Sequence, residues 1–281
     1  MTAVRLDCEL QQALSGEMTP KFLATLDATG RPNCVPVISL MPYADDVLIF
    51  GEFFMNKSRK NLLENPKVGI AAINERFEMW SLKGMFLGFE TAGECVDRIN
   101  ALRLFRYNAY TGVRAAGVIR IHEVSEKRRL TKPRLLLDFA RVMAVARVLQ
   151  PRCSDWRCMP PRVEEKFRRM AAVRAAAYCD ADGFPRAFAG VACVPAGPNR
   201  LVMGDSLFAA YAGGIPRDGE LAVAVITSDP IAYQVKGLYR GRRAGVGVVD
   251  LTACYSASPP LLGERLDPES QGPACSRAGA G

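Results

Sequence analysis

The chain has 281 residues, with 37 Lys and Arg against 29 Asp and Glu, a formal net charge of +8 and a single histidine. Hydrophobic residues at 49% and charged residues at 23% give a globular balance that excludes disorder along most of the length. No apolar run reaches the ~18 residues of a membrane span, and with His122 alone any site that needs two histidines is excluded.

The N-terminal stretch MTAVRLDCELQQAL has no apolar core of signal-peptide length, which predicts a cytoplasmic protein. Strands are predicted over Phe22–Asp27 and Asn33–Met41, around the turn Ala28-Thr29-Gly30-Arg31, and over Val47–Gly51 after a second turn at Tyr43–Asp46. A short helix follows, with Asn56 as its cap and Pro66 as its stop. Strands resume at Val68–Asn74, Glu78–Glu90 and Val118–Val124, with a helix over Glu94–Arg106 between the last two. His122 lies in an alternating run and reads as an ordinary strand histidine.

Leu130–Gln150 is patterned as an amphipathic helix, its apolar stripe including Leu135, Phe139, Val142 and Ala146, and is expected to pack between barrels. Further strands are predicted at Val173–Cys179, Arg186–Val194, Arg200–Gly204, Leu221–Thr227, Ile231–Gly241 and Gly245–Thr252. The Pro-, Gly- and Ser-rich stretch from Ser258 reads as a flexible tail.

Comparing the chain with itself reveals a repeat. Gly30 matches Gly183, a shift of 153 residues (183 − 30), and the same shift carries Asp27 to Asp180, Pro32 to Pro185, Gly51 to Gly204 and Lys83-Gly84 to Lys236-Gly237. Two copies are too few for a solenoid, and antiparallel strands of this kind remove their edges by closing into small barrels. The expected fold is mainly β with α (α+β): two tandem split barrels forming an intramolecular pseudo-dimer. The expected domains are residues 1–128, a helical linker at 129–165, a second barrel at 166–257 and the tail at 258–281. The helix of 94–106 has no counterpart in the second copy.

The nine cysteines have irregular spacing and, in a cytoplasm, are expected as reduced thiols; Cys34, Cys179 and Cys193 sit in apolar runs. Cys153 and Cys158 lack the second pair a zinc site needs, so no metal is expected. The basic runs Lys127-Arg128-Arg129 and 162–174 read as solvated helix faces. No nucleic-acid-binding motif accompanies them.

The join at residues 50–62 carries the chemistry. A helix starting near Lys57 directs unpaired backbone N–H groups and a positive dipole end at whatever precedes it. Lys57, with Arg59, adds cationic charge and Ser58 a hydroxyl, so the run reads either as an exposed helix face or as a phosphomonoester site.

Gly30-x-Pro32-x-x-x-Pro36-Val37, Leu48-Ile49-Phe50-Gly51, Lys57-Ser58-x-x-Asn61-Leu62-x-x-Asn65-Pro66-x-Val68 and Leu82-Lys83-Gly84 together resemble the FMN-binding split barrels related to pyridoxamine 5′-phosphate oxidase. The resemblance implies two barrels about a twofold axis with FMN in a groove between them. It places Lys57 and Ser58 on the FMN phosphate, Val35, Pro36, Val37 and Ile38 along the flavin ring, and Phe50 and Gly51 beside the phosphate or ribityl chain. In the second copy Lys57 becomes Ala210 and Ser58 becomes Tyr211, so one FMN per chain is expected. The Trp/Arg/His-bearing C-terminal segment with which true pyridoxamine phosphate oxidases grip substrate is missing, which argues against vitamin B6 oxidation.

The implied function is an FMN-dependent oxidoreductase acting on a small organic substrate, with NAD(P)H as a candidate donor. The alternatives are a non-catalytic FMN protein, as electron carrier or flavin sensor, or a split barrel that takes a deazaflavin or haem. No acid–base residue stands out. Tyr233, Lys236 and Tyr239 are candidates for facing the groove, while their first-copy counterparts Trp80, Lys83 and Phe86 read as barrel structure. Dimerisation beyond the fused pair stays open.

Overall fold

The computed structural model describes residues 4–53, 55–103, 112–150, 156–204, 214–229, 231–258 and 261–267. The first half contains α1 (Cys8–Ser15), β1 (Lys21–Leu26), β2 (Pro32–Pro36), β3 (Met41–Pro42), β4 (Val47–Gly51), α2 (Asn56–Glu64), β5 (Lys67–Ile73), β6 (Glu78–Glu90), α3 (Glu94–Asn100) and β7 (Ala116–Val124). A two-residue strand β8 (Arg128–Arg129) and helix α4 (Lys132–Leu149) lead to the second half. There follow α5 (Pro161–Arg168), β9 (Val173–Cys179), β10 (Pro185–Gly190), β11 (Cys193–Pro195), β12 (Arg200–Met203), β13 (Glu220–Ile226), β14 (Ala232–Arg243) and β15 (Val246–Ser256).

The two sheets have one topology. The first runs β2-β1-β5-β6-β7-β4-β3, with β8 added on β6, and the second runs β10-β9-β13-β14-β15-β12-β11, all antiparallel in the pairings described. The register agrees in detail. The shift of 153 carries β2 onto β10 and β5 onto β13, and both long strands slip register at two places, among them Lys83/Gly84 in one and the equivalent Lys236/Gly237 in the other. A bulge at matching positions in both copies is a feature of the unit, since it bends the strand and re-aims its side chains. The turn is repeated as well: Gly30 and Gly183 adopt φ of 80° and 74°, where a side chain would be strained. The fold is therefore a tandem pair of split barrels, as the repeat implies.

Alternation divides each sheet between two cores. In β1, Leu23 faces the first barrel's interior with Leu48, Phe50, Ile70 and Leu82. Its neighbours Phe22 and Ala24 face the other half, where Ala175, Ala177, Ala187 and Ala224 meet them. Small residues let the halves approach closely. At Gly69 a Cβ would stand 2.2 Å from the Pro185 carbonyl oxygen, so β5 lies against β10 with no room for a side chain.

Several expected features are displaced. The strand expected over 33–41 ends at Pro36, because proline has no N–H to continue a ladder, and the chain turns through Val37–Leu40, where Leu40 N donates to Val37 O at 3.2 Å. The short helix is capped by Met55, not Asn56, and Met55 has no side chain able to cap it. Helix α1 was not anticipated; Asp7 opens it by accepting from Leu10 N at 2.7 Å.

Helix α4 is also reassigned. In the first half, α3 covers the outer face of β3, β4 and β7, with Cys95, Val96 and Ile99 on Ile49 and Ala116. In the second half Val142 and Ala146 of α4 cover Val194, Val202 and Val246. The linker helix thus stands in for the missing α3, and only its first turn, through Leu135, joins the cluster between the barrels. Finally, the chain read as tail from Ser258 turns back on the second sheet. Leu266 N donates to Cys254 O at 2.7 Å, and Ser256 N to Glu264 O at 2.9 Å.

Candidate functional site

One cavity of about 790 Å³ lies between the halves, within the range of small-molecule and cofactor sites. The first half lines it with Asn33, Val35–Ser39, Gly51, Phe53 and Met55–Ser58. The second half lines it with Ile226, Ala232, Gln234, residues 255–258, Leu262 and Gly263. Seven of the eight residues expected to bind, Lys57, Ser58, Val35, Pro36, Val37, Ile38 and Gly51, therefore meet in one place. Phe50 does not. It is wholly buried in the first barrel, with Phe86 and Phe89 at ring centroid distances of 6.4 and 6.2 Å, because its neighbour Ile49 takes the outer face and alternation sends Phe50 inward.

Met55 to Ser58, which line the cavity, form the start of α2. That turn has neither a side-chain cap nor an acidic residue, which leaves its N–H groups for an anionic ligand. Lys57 extends over the Tyr255 ring, Nζ to centroid 4.6 Å, and so spans the two halves. Ser58 is buried, and its Oγ accepts from Asn33 Nδ2 at 3.1 Å. Arg59 turns away: it pairs with Glu52 at 3.3 Å and lies over Phe89 at 4.9 Å.

Along the cavity Val35 and Pro36 lie on the edge strand β2, with Val37 and Ile38 in the turn after it. Ile226 and Ala232 add apolar surface from the other half. Gln234 Nε2 donates to Cys34 O across the halves. Burial pushes the Cys34 thiol up to about 12, so it is inert packing. Burial also raises the Tyr255 phenol. Of the residues considered for the groove, Tyr239 is buried in the second barrel's core and Tyr233 packs against that core. Asn33, Gln234 and Tyr255 were missed; Asn33 was open to detection, since it is two residues from Val35 on the same strand.

The second copy differs at the corresponding places. Arg186 replaces Asn33 and pairs with Asp180 at 2.7 Å and Glu123 at 2.8 Å. A Cβ on Gly204, the counterpart of Gly51, would meet Asp138 of α4 at 2.4 Å. Ala210 and Tyr211 lie outside the described residues, as does Cys153. Among the described residues no cluster of metal-binding side chains occurs, and no helix is long and apolar enough to cross a membrane. His122 is exposed on β7 and does not line the cavity.

The profile of the pyridoxamine 5′-phosphate oxidase family matches residues 9–151, half of the chain. The chain belongs to the pyridoxamine 5′-phosphate oxidase family. The match takes in α1, the whole first sheet and α4, and so includes every first-half residue of the cavity. An uncharacterized protein of Methanocaldococcus jannaschii is 32% identical over 85 residues, 30% of this chain and 56% of its own. The chain thus spans about half the length of that curated relative. Among solved structures, an FMN-binding protein of Syntrophomonas wolfei is 17% identical over 43% of this chain and 85% of its own, with a TM-score of 0.37. HutZ, the haem storage protein of Vibrio cholerae, is 17% identical over 44% of this chain and 96% of its own, with a TM-score of 0.34. This member of the pyridoxamine 5′-phosphate oxidase family has the family's flavin-binding fold in tandem.

Proposed function

We propose that the chain binds one FMN in the cavity between its halves and acts as an oxidoreductase on a small organic substrate. The observation that carries this reading is the cavity's division of labour. An uncapped helix start with Lys57 and Ser58 and an apolar set formed by Val35–Ile38, Ile226 and Ala232 line the same cavity. That donor set fits a phosphorylated flavin. Lys57 and the N–H groups of α2 would neutralise the phosphate, Ser58 would donate to it, and the edge of β2 would face the ring. Bound flavin supplies hydride or electron transfer; the chain supplies binding, orientation and exclusion of water.

A non-catalytic electron carrier or flavin sensor is the second reading. What favours it is the cavity lining: among the described residues it contains no carboxylate and no imidazole, the usual groups for moving protons at a substrate. Haem is the weakest occupant, since the chain's one imidazole, His122, is exposed and away from the cavity.

Titration with FMN tests the proposal. The protein should be yellow and bind close to one equivalent. Lys57→Ala should weaken binding by about 1.5–3 kcal/mol, the worth of a charge-assisted hydrogen bond. Colourless protein that ignores added FMN sinks the reading. Steady oxidation of NAD(P)H with a second acceptor separates enzyme from carrier.

A further inference from the structure

Resting on the reading of a phosphorylated flavin in this cavity, we propose that Tyr255 of the second half is a positioning residue for the phosphate. Its ring seats the Lys57 ammonium of the first half at the cavity, so that the two halves build the cation's place jointly.

Lys57 and Tyr255 both line the cavity, and Lys57 Nζ stands 4.6 Å from the ring centroid, inside the ~6 Å reach of a cation–π attraction. Burial raises the Tyr255 phenol, so the ring stays neutral and what it offers the ammonium is its π face. The cations that follow Lys57 on α2 are engaged by carboxylates, Arg59 by Glu52 at 3.3 Å and Lys60 by Glu64 at 3.7 Å. Lys57 itself forms no ion pair among the described residues, and the contact that holds it is the ring. A lysine free in water has all its side-chain torsions to order when an anion arrives. One already seated beside the site has fewer to order, which favours binding without any new contact to the ligand.

The ring has a fixed platform. Tyr255 lies opposite Gln234 on β14 and also bridges to Arg265 of the returning chain. Asp267, wholly buried, pairs with Arg265 at 2.8 Å and accepts from Cys254 N at 3.3 Å. In the other copy both members of the pair are replaced. Ser125 follows Val124, opposite Leu82, as Tyr255 follows Cys254, opposite Val235, so a serine stands where the ring would be. Lys57 becomes Ala210. Cation and ring are kept together in one copy and are missing together from the other, as expected of two residues that act as a unit.

The test titrates FMN and riboflavin into the full chain as wild type, Lys57→Met, Tyr255→Phe, Tyr255→Leu and the double variant Lys57→Met/Tyr255→Leu. Tyr255→Leu should weaken FMN about 2- to 10-fold and leave riboflavin, which has no phosphate, unchanged. Tyr255→Phe keeps the ring and should match wild type. In the Lys57→Met background Tyr255→Leu should cost nothing further. Equal losses of FMN and riboflavin in Tyr255→Leu would make the ring a contact of the flavin itself and overturn the proposal, with the flavin reading intact. FMN binding unchanged in Tyr255→Leu but lost in Lys57→Met would do the same. NMR of the ligand-free protein with isotope-labelled lysine reads the pair directly. The Lys57 ε-methylene signal, identified by its loss in Lys57→Met, should be shifted upfield by the ring in wild type and Tyr255→Phe but not in Tyr255→Leu. An unshifted signal in wild type overturns the proposal whatever the flavins do. If wild type binds neither flavin, the flavin reading falls. The positioning role then stands on a rise in Tm with inorganic phosphate that Tyr255→Leu lessens, and falls without one.

Discussion

Asn33 and Ser58 show how the pocket's polar groups are aimed. Asn33 Nδ2 donates to Ser58 Oγ at 3.1 Å and Asn61 Nδ2 to Thr25 Oγ1 at 3.0 Å, all within buried surroundings. These two bonds fix α2 against β2 and β1, and the first leaves the Ser58 proton free to point at a ligand. Removing the Asn33 amide leaves that hydroxyl unoriented, so Asn33→Ala should weaken FMN by about 0.5–1.5 kcal/mol. Adding Ser58→Ala should cost little more, because both changes break one interaction. Fully additive losses in that double-mutant cycle would mean that Asn33 does not act through Ser58. At this scale the sequence was enough to bring Lys57 and Ser58 together on the cavity wall. It was uninformative where a side chain's direction depends on the strand: Phe50 and Gly51 are adjacent in the chain, yet only Gly51 reaches the cavity.

At the scale of elements, the repeat reaches further than its identities suggest. The shift of 153 carries Cys8–Ser15 onto Pro161–Arg168, so α1 and α5 are counterparts, with Leu10 and Leu14 buried in one and Val163 and Phe167 in the other. Eight residues with so few apolar anchors give little periodicity to detect. Their ends are held in one way. Lys21 Nζ donates to the carbonyls of Leu14 and Gly16 at 3.0 and 2.9 Å. Its counterpart Arg174 donates to Phe167, Arg169, Ala172 and Val191 at 2.5 to 2.9 Å. A cation at a helix C-terminus satisfies orphan carbonyls and matches the dipole. Burial lowers Lys21 to about 8 and Arg174 to about 10, the desolvation cost that these bonds must outweigh. Arg174→Met takes this donor from the buried carbonyls of Phe167 and Ala172, and a loss of about 3 kcal/mol is expected in urea denaturation. A loss under about 1 kcal/mol would mean that water replaces the guanidinium. The same scale explains the misplacement of α4: its apolar stripe was legible, but which sheet it covers depends on α3 being missing from the second copy.

For the whole molecule, tandem organisation was legible because spacing between equivalent turns survives even when few identities do. The asymmetry between the two grooves was legible only at Ala210 and Tyr211. Its structural counterpart is the ionic cluster in which Arg186 stands at the position of Asn33, and this cluster ties the halves together. Lys83 from the first half meets Asp180 and Asp182 from the second, and Arg186 bridges Asp180 to Glu123. Burial tends to raise the Asp180 carboxyl, but hydrogen bonds from Lys83 and Arg186 outweigh it and hold the group down at about 2. A carboxyl lowered in the folded state stabilises fully above its unfolded value of about 4 and loses that contribution as pH falls through the folded value. Asp180→Asn removes the charge while Asp182 and Glu123 still face Lys83, so a loss of about 1–3 kcal/mol is expected at pH 7. Wild type and variant should then converge as the pH is lowered from about 4 to about 2, because acid neutralises in one protein what the substitution has already removed from the other. Urea midpoints measured across that range decide the matter. A gap that persists undiminished at pH 2 would show that Asp180 contributes by shape, not by charge, and that the apolar contacts of Phe22, Ala71, Ala175 and Ala224 hold the halves together without it.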